Sequence, residues 1–172
     1  LNPDTIIRGG AIQALREFLD AHPEVAVAGG RCEYTDGEPQ SSAFRFPGLV
    51  SEFSSQIRLG PFDKVFQNRL VITGHHESPV QVDWVTGALM MIRREAMESV
   101  GYLDEGFFLY FEETDLMFRM RRAGWQVWHV PASRAVHLVG QITGVQSDAE
   151  QPRRLPAYWY ESRRRYFVLN NG

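Results

Sequence analysis

Apolar and polar positions fall into short runs separated by turn residues. Ala11, Leu15, Phe18 and Leu19 recur at helical spacing, with Arg16, Glu17 and Asp20 between them, which predicts an amphipathic helix from Gly10 to Ala21. His22-Pro23 ends it. Val25-Ala26-Val27-Ala28, closed by Gly29-Gly30, is a short apolar run of the kind that forms a buried strand. A helix leading into a buried strand predicts a layered α/β domain rather than a bundle. Upstream, Asn2-Pro3-Asp4-Thr5 reads as a turn, because Pro3 fixes its own φ and keeps Asn2 out of the helical region.

The pattern is sharp again from Val82. Val82-Asp83-Trp84-Val85 and Leu89-Met90-Met91-Ile92 are apolar runs broken by Thr86-Gly87-Ala88. They predict two strands, or one strand bent at Gly87 with its backbone held close to something there. Arg93 to Val100 reads as a short helix closed by Gly101, its Arg93-Arg94 start most often a solvated one. A longer helix runs from about Glu112 to Ala123, with Leu116, Met120 and Ala123 on one face, and stops at Gly124. Trp125 to Val130 alternates as a strand ended by Pro131, and Arg134 to His137 reads as a further short strand.

Two regions carry less pattern. From Asp36-Gly37 to about Gln81 the chain is rich in Ser, Gly, Pro and Gln, with only Leu49, Phe53 and Ile57 at helical spacing. A long irregular segment of this kind is functional or mobile. His75-His76 lies within it and reads as solvated, since no carboxylate or cysteine stands nearby to complete a metal site. Residues 141–172 are polar and then basic-aromatic (Tyr158-Trp159-Tyr160, Arg163 to Tyr166), and read as a C-terminal extension packed as a helix on the outside.

Composition narrows the classes. The 172 residues are 44% hydrophobic and 23% charged, enough for one domain with a core. A net charge of −3 gives no reason to expect a nucleic-acid partner. The single cysteine, Cys32, rules out a disulfide framework or a cysteine metal cluster within the chain and fits a reducing compartment. No apolar run approaches the ~18–20 residues that span a bilayer, and no signal peptide is visible, so a cytoplasmic location is expected. The opening on Leu-Asn-Pro-Asp, without Met, suggests a piece of a longer protein.

Candidate chemistry concentrates between Phe107 and Trp125. Phe107, Phe108, Tyr110 and Phe111 front three carboxylates, Glu112, Glu113 and Asp115. Acids at a helix start are stabilised by the helix dipole, which is the ordinary structural explanation. Aromatic surroundings that lower the local dielectric, together with crowded like charges, raise a carboxylate pKa, and that suits a general base.

A set of motifs in order adds a resemblance. Asp83-Trp84-Val85-Thr86-Gly87-Ala88 is followed by Arg93-Arg94-Glu95-Ala96, Val100-Gly101 with Asp104-Glu105, and Phe107 through Leu116. After these come Arg119, Ala123-Gly124-Trp125, Pro131 and His137. Together they resemble the C-terminal half of a family 2 glycosyltransferase of the rhamnosyltransferase-like kind. Leu1-Asn-Pro-Asp-Thr5 resembles that family's variant of its metal-binding Asp-x-Asp motif. The resemblance covers the chain apart from about Phe46 to Gln81.

The resemblance implies a GT-A fold, a Rossmann-like α/β sandwich with a mixed, mostly parallel sheet, here as a single partial domain lacking its N-terminal nucleotide-binding portion. It implies inverting transfer from a nucleoside-diphosphate sugar to an acceptor hydroxyl, with Mg²⁺ or Mn²⁺ under the departing diphosphate. The acceptor would be a saccharide or lipid-linked glycan in cell-surface polysaccharide synthesis, with peripheral association at the inner face of the membrane. The isolated residues would then be inactive. Asp4 would be the metal-binding acid, with Asn2 where other members have the first Asp, and His137 would complete the metal or diphosphate site. Glu113 occupies the expected base position beside Glu112, with Asp115 as the substitute. Asp83, Trp84, Gly87 and Ala88 would line the donor-sugar and acceptor pocket, and Arg119 would pair with the acids.

Plainer readings stand beside these roles. Asp4 before a helix makes a good N-cap. Trp84 and Trp125 are more often core than sugar platforms, and Trp125 is read as core. The residues also admit a non-catalytic carbohydrate-binding module, or an assembly domain whose basic-aromatic tail docks on a partner or a membrane.

Overall fold

The computed structural model describes residues 1–48, 75–138 and 155–171. The elements are β1 (Thr5–Ile7), α1 (Ala11–Ala21), β2 (Val25–Glu33), β3 (Ala43–Phe44), β4 (Val80–Val82), β5 (Trp84–Val85), β6 (Met90–Ile92), α2 (Arg94–Val100), α3 (Glu112–Arg122), β7 (Gln126–His137) and α4 (Ala157–Asn171). β2 and β7 run parallel as the spine of a five-stranded sheet ordered β1-β7-β2-β6. Every other pairing in it is short and antiparallel: β1 along the end of β7, β4 beside its start, β6 on β2. β3 and β5 form a separate two-stranded ribbon. The layered α/β reading holds, in a mixed sheet whose parallel part is one long pair.

Val25 to Ala28 reads as an apolar run because its side chains are covered on both faces, but Gly29-Gly30 does not close the strand, which continues to Glu33. One cluster packs Leu15 and Leu19 of α1 against Val25, Ala28, Leu89 and Val130. The other packs Leu116, Met117 and Met120 of α3 against Ala26, Val27, Val85 and Val127. Gly29 and Gly30 are glycine because the 85–89 segment presses on the strand there. A Cβ on Gly29 would collide with the Val85 side chain, and one on Gly30 with Leu89. The close approach is sealed by Gly30 N–H donating to Leu89 O at 2.9 Å.

Several expectations shift. Pro131 does not end a strand, because β7 continues through it to His137. The register jumps from Gly30↔Val130 to Arg31↔Arg134, so Pro131 to Ser133 bulge out of the ladder where a missing N–H costs nothing. The 82–85 run splits at Asp83 into β4 and β5, which belong to different sheets. Arg93 is not a solvated helix start. Its guanidinium donates to Leu19 O (2.6 Å), His22 O (3.1 Å) and Val25 O (2.9 Å), closing the end of α1. α4 packs on α3 and buries Ser162 and Tyr166, while Tyr160, Glu161, Arg164, Val168 and Leu169 stay exposed. The helical spacing of Leu49, Phe53 and Ile57 lies outside the described residues. Among the described residues no helix is long and apolar enough to cross a membrane.

Candidate active site

Strand pairing brings the two ends of the chain's motif set together. The Asn2–Asp4 turn, closed by Thr5 N–H to Asn2 O at 3.2 Å, feeds β1, whose Thr5 lies opposite His137. Asp4 is thereby set against His137, with Oδ1 3.5 Å from Nε2 and both side chains largely buried. Asp4 Oδ1 is shut off from solvent and accepts no hydrogen bond. Asp4 is not a cap for α1, which starts after Gly10 without any side-chain cap. The Gly87-Ala88 turn is stitched to the same place. Asn2 N–H donates to Ala88 O at 3.3 Å, and Thr5 Oγ1 donates to it at 3.4 Å. Among the described residues no group of three or more His, Cys, Asp or Glu side chains forms a complete metal cage. A cation at Asp4 and His137 would therefore take its remaining ligands from substrate oxygens and water, the usual habit of Mg²⁺.

The acids of α3 divide into two kinds. Tyr110 and Phe111, directly before them, both hold left-handed backbone conformations (φ 68° and 69°). Non-glycine residues rarely adopt this region, and each costs ~1–3 kcal/mol unless the surroundings enforce it. The kink lets α3 begin abruptly at Glu112. Glu112 and Glu113 each keep one carboxylate oxygen sealed from water without a hydrogen-bond partner. Burial, and then the charge of Glu112, push the Glu113 carboxyl up to about 7. Burial also raises Glu112. Asp115 differs. It accepts from Arg119 Nε and from Asn170 Nδ2, both at 2.8 Å, and neither of its oxygens is left over. Arg119 also donates to the carbonyls of Val100, Gly101 and Tyr102, so it ties α3 to the end of α2.

The remaining site candidates are anchored in the framework. Asp83 pairs with Arg121 and accepts from Phe46 N–H at 2.9 Å. Asp83 and Arg121 line a cavity of about 250 Å³ with Gln81, Val82, Trp125 and Val127. Trp84 stacks on Phe44 (ring centroids 4.2 Å apart) and donates from Nε1 to Arg45 O. Trp125 is half-buried and donates to Ser99 Oγ at 3.1 Å. Val85 N–H donates to Met117 Sδ at 3.3 Å, so β5 is tied to α3 one turn beyond Glu113. The 85–88 segment is thus fastened to α3 at Val85 and to the Asn2–Asp4 turn at Ala88.

Three features escaped the sequence reading. Gln40 bridges the ends of β2 and β7 and reaches the His137 ring. Glu33, 1% exposed, is held between Arg8 and Arg134. Burial works against its charge, but hydrogen bonds from the two arginines outweigh it and hold the carboxyl below its usual range. His129, buried in β7, has a ring 6.2 Å from that of His76. Burial, followed by positive neighbours His76 and Arg31, pushes His129 down to about 4. His75 is exposed, whereas His76 is half-buried and its carbonyl accepts from Arg31. None of these residues falls at a spacing that announces chemistry. Glu33 lies past the Gly29-Gly30 pair that the sequence offered as the end of the strand, so its burial gave no signal.

The chain belongs to the Glycosyl transferase family group 2, whose profile it matches over residues 1–169. It is 38% identical over 147 residues to the Rhamnosyltransferase WbbL of Escherichia coli K12, covering 80% of this chain and 50% of that protein. It is 30% identical over 148 residues to the N-acetylglucosaminyl-diphospho-decaprenol L-rhamnosyltransferase of Mycobacterium tuberculosis, covering 83% and 47%. A shorter match, 33% over 66 residues, is to the Low-salt glycan biosynthesis hexosyltransferase Agl10 of Haloferax volcanii. The chain spans about half the length of the first two relatives.

Proposed function

We propose that these residues form the acceptor and metal side of an inverting glycosyltransferase that uses a nucleoside-diphosphate sugar. The observation that carries the reading is the Glu113 carboxyl, buried, unpartnered at one oxygen and raised to about 7. Glu113 takes the proton of the acceptor hydroxyl as that oxygen bonds to the anomeric carbon. The bond from that carbon to the diphosphate oxygen breaks, and its electron pair leaves with the nucleotide. A base with a pKa near the working pH does this best, and general-base catalysis contributes ~10²–10⁴-fold. Burial keeps the Glu113 pKa high, and the charge of Glu112 adds to it. Asp4 and His137 would hold a divalent cation, Mg²⁺ or Mn²⁺, which neutralises charge growing on the leaving diphosphate. Gly87 and Ala88 shape the wall between the two centres, and Asp83 and Trp84 set the position of that wall.

The names of the relatives support a glycan or lipid-linked saccharide as acceptor and a hexose such as rhamnose as the group transferred. Such an acceptor would bring the protein to the inner face of a membrane as a peripheral enzyme. Replacing Glu113 by Gln keeps the shape and removes the base. In the protein that carries these residues, Glu113→Gln should lower kcat by ~10²–10⁴-fold with little change in donor KM. A kcat within threefold of wild type would remove Glu113 as base.

A further inference from the structure

Gln40 is buried just beyond β2, where its backbone N–H donates to Cys32 O at 2.8 Å. Its side-chain nitrogen faces two backbone carbonyls, Glu33 O at 3.1 Å and His137 O at 2.8 Å. Carbonyl oxygens only accept, so both positions require N–H and the orientation of the amide is fixed by its partners. Oε1 is left facing His137 Nδ1 at 3.2 Å. Because Oε1 also only accepts, the ring hydrogen must sit on Nδ1. In the neutral ring Nε2 then carries a lone pair, set 3.5 Å from Asp4 Oδ1. That oxygen is sealed from solvent and accepts nothing. In that neutral form two electron-rich atoms face each other, an arrangement completed by a positive centre.

We propose that Gln40 is the positioning residue that locks His137 as its Nδ1–H tautomer and so presents Nε2, beside Asp4, to a divalent cation. This rests on the reading of Asp4 and His137 as cation ligands. Gln40 touches neither cation nor substrate. It acts through the ring, and its two hydrogen bonds to strand-end carbonyls hold the amide so that it cannot turn. Partners of this kind fix the tautomer of a ligating histidine and change metal affinity by ~10–100-fold when removed.

The test uses the ¹⁵N-labelled chain free of divalent cations at mildly alkaline pH. Long-range ¹H–¹⁵N correlation through the imidazole reports which nitrogen of His137 carries hydrogen, and the backbone amide spectrum reports folding. Wild type should show Nδ1–H, and Gln40→Met should relax toward Nε2–H. Titration with Mn²⁺, followed by electron paramagnetic resonance, should show affinity ~10–100-fold weaker in Gln40→Met. An Nε2–H ring in the wild-type protein overturns the proposal, and it does so even if the variant fails to fold. Unchanged Mn²⁺ affinity in a folded Gln40→Met also overturns it. Mn²⁺ bound equally well by Asp4→Asn would overturn the underlying reading of Asp4, an outcome recognisably different from a wrong tautomer.

Discussion

At the scale of single residues, the Glu112–Glu113 pair couples chemistry to stability. In the folded chain the Glu113 pKa is raised from 4.5 to about 7, so the folded state holds that proton more tightly than the unfolded state does. Its contribution is therefore most favourable below the unfolded value and is lost as pH rises through the folded one, across the window from 4.5 to about 7. Glu113→Gln removes that loss. Urea denaturation should find the variant ~1–3 kcal/mol more stable than wild type at pH 8, and no more stable at pH 4. The same proton sets activity: kcat/KM should climb with pH to a plateau, with its midpoint near 7. Glu112→Gln should move that midpoint down only part of the way, since burial is the larger cause of the shift. A midpoint unmoved by Glu112→Gln would show that the two carboxyls do not sense each other. The acids were legible in the sequence because aromatic residues followed by paired carboxylates at a helix start form a local pattern. The pairing of Arg119 with these acids was expected and falls on Asp115, but the second partner, Asn170, was not legible, because it arrives from a distant helix.

At the scale of elements, tight contacts explain which positions tolerate change. The first half of β2 could be read directly from its apolar run, and the runs at 82–85 and 89–92 signalled β4, β5 and β6. β1 could not be read, because it is three residues long and is defined by its partner β7 rather than by periodicity. Both halves of β7 were read as strands, but their continuity hid behind Pro131, whose bulge depends on β2 opposite it. Gly30→Ala should press a methyl into Leu89 and Ser133 Oγ in the middle of this frame. Overpacking of that kind costs ~1–3 kcal/mol, which a shift in the urea midpoint with unchanged slope would register. Arg119 offers a second test of structure against function. Arg119→Leu would strand Asp115, a carboxylate 2% exposed, without its cation, and would free three carbonyls at the end of α2. Breaking a buried pair in this way costs ~3–5 kcal/mol. Three of the guanidinium's four hydrogen bonds brace the end of α2, so stability should fall by at least ~2 kcal/mol whether or not any sugar is present. A variant as stable as wild type that binds donor more weakly would return Arg119 to the substrate pocket.

At the scale of the whole molecule, the strained segment before Glu112 persists because α4 clamps it. Arg165 chelates Asp104, and Ser162 Oγ donates to Leu109 O at 2.9 Å. Tyr158 stacks on Tyr110, Trp159 packs on Phe111, and Tyr166 touches both Phe111 and Phe118. Every residue from Leu109 to Phe111 thus meets α4, and Asn170 reaches Asp115 beyond them. None of this was visible in a basic-aromatic tail read as an external extension, since the tail's period says nothing about the loop it will cover. Tyr166 is the place to test the clamp. It is fully buried, burial raises its hydroxyl pKa, and that hydroxyl has no hydrogen-bond partner. Tyr166→Phe keeps the ring and removes an unsatisfied group whose burial costs ~1–3 kcal/mol, so the variant should be as stable as wild type or more so. Tyr166→Ala should lose ~3–5 kcal/mol to the cavity it leaves. If the clamp enforces the backbone at Tyr110 and Phe111, then Tyr166→Ala should also release that backbone in the folded protein. Amide hydrogen exchange from residues 109 to 113 should accelerate more than exchange in β2, and kcat should fall with it while Tyr166→Phe retains both. Uniform acceleration across β2 and α3 alike would mean that α4 adds stability only, with no special hold on the acids.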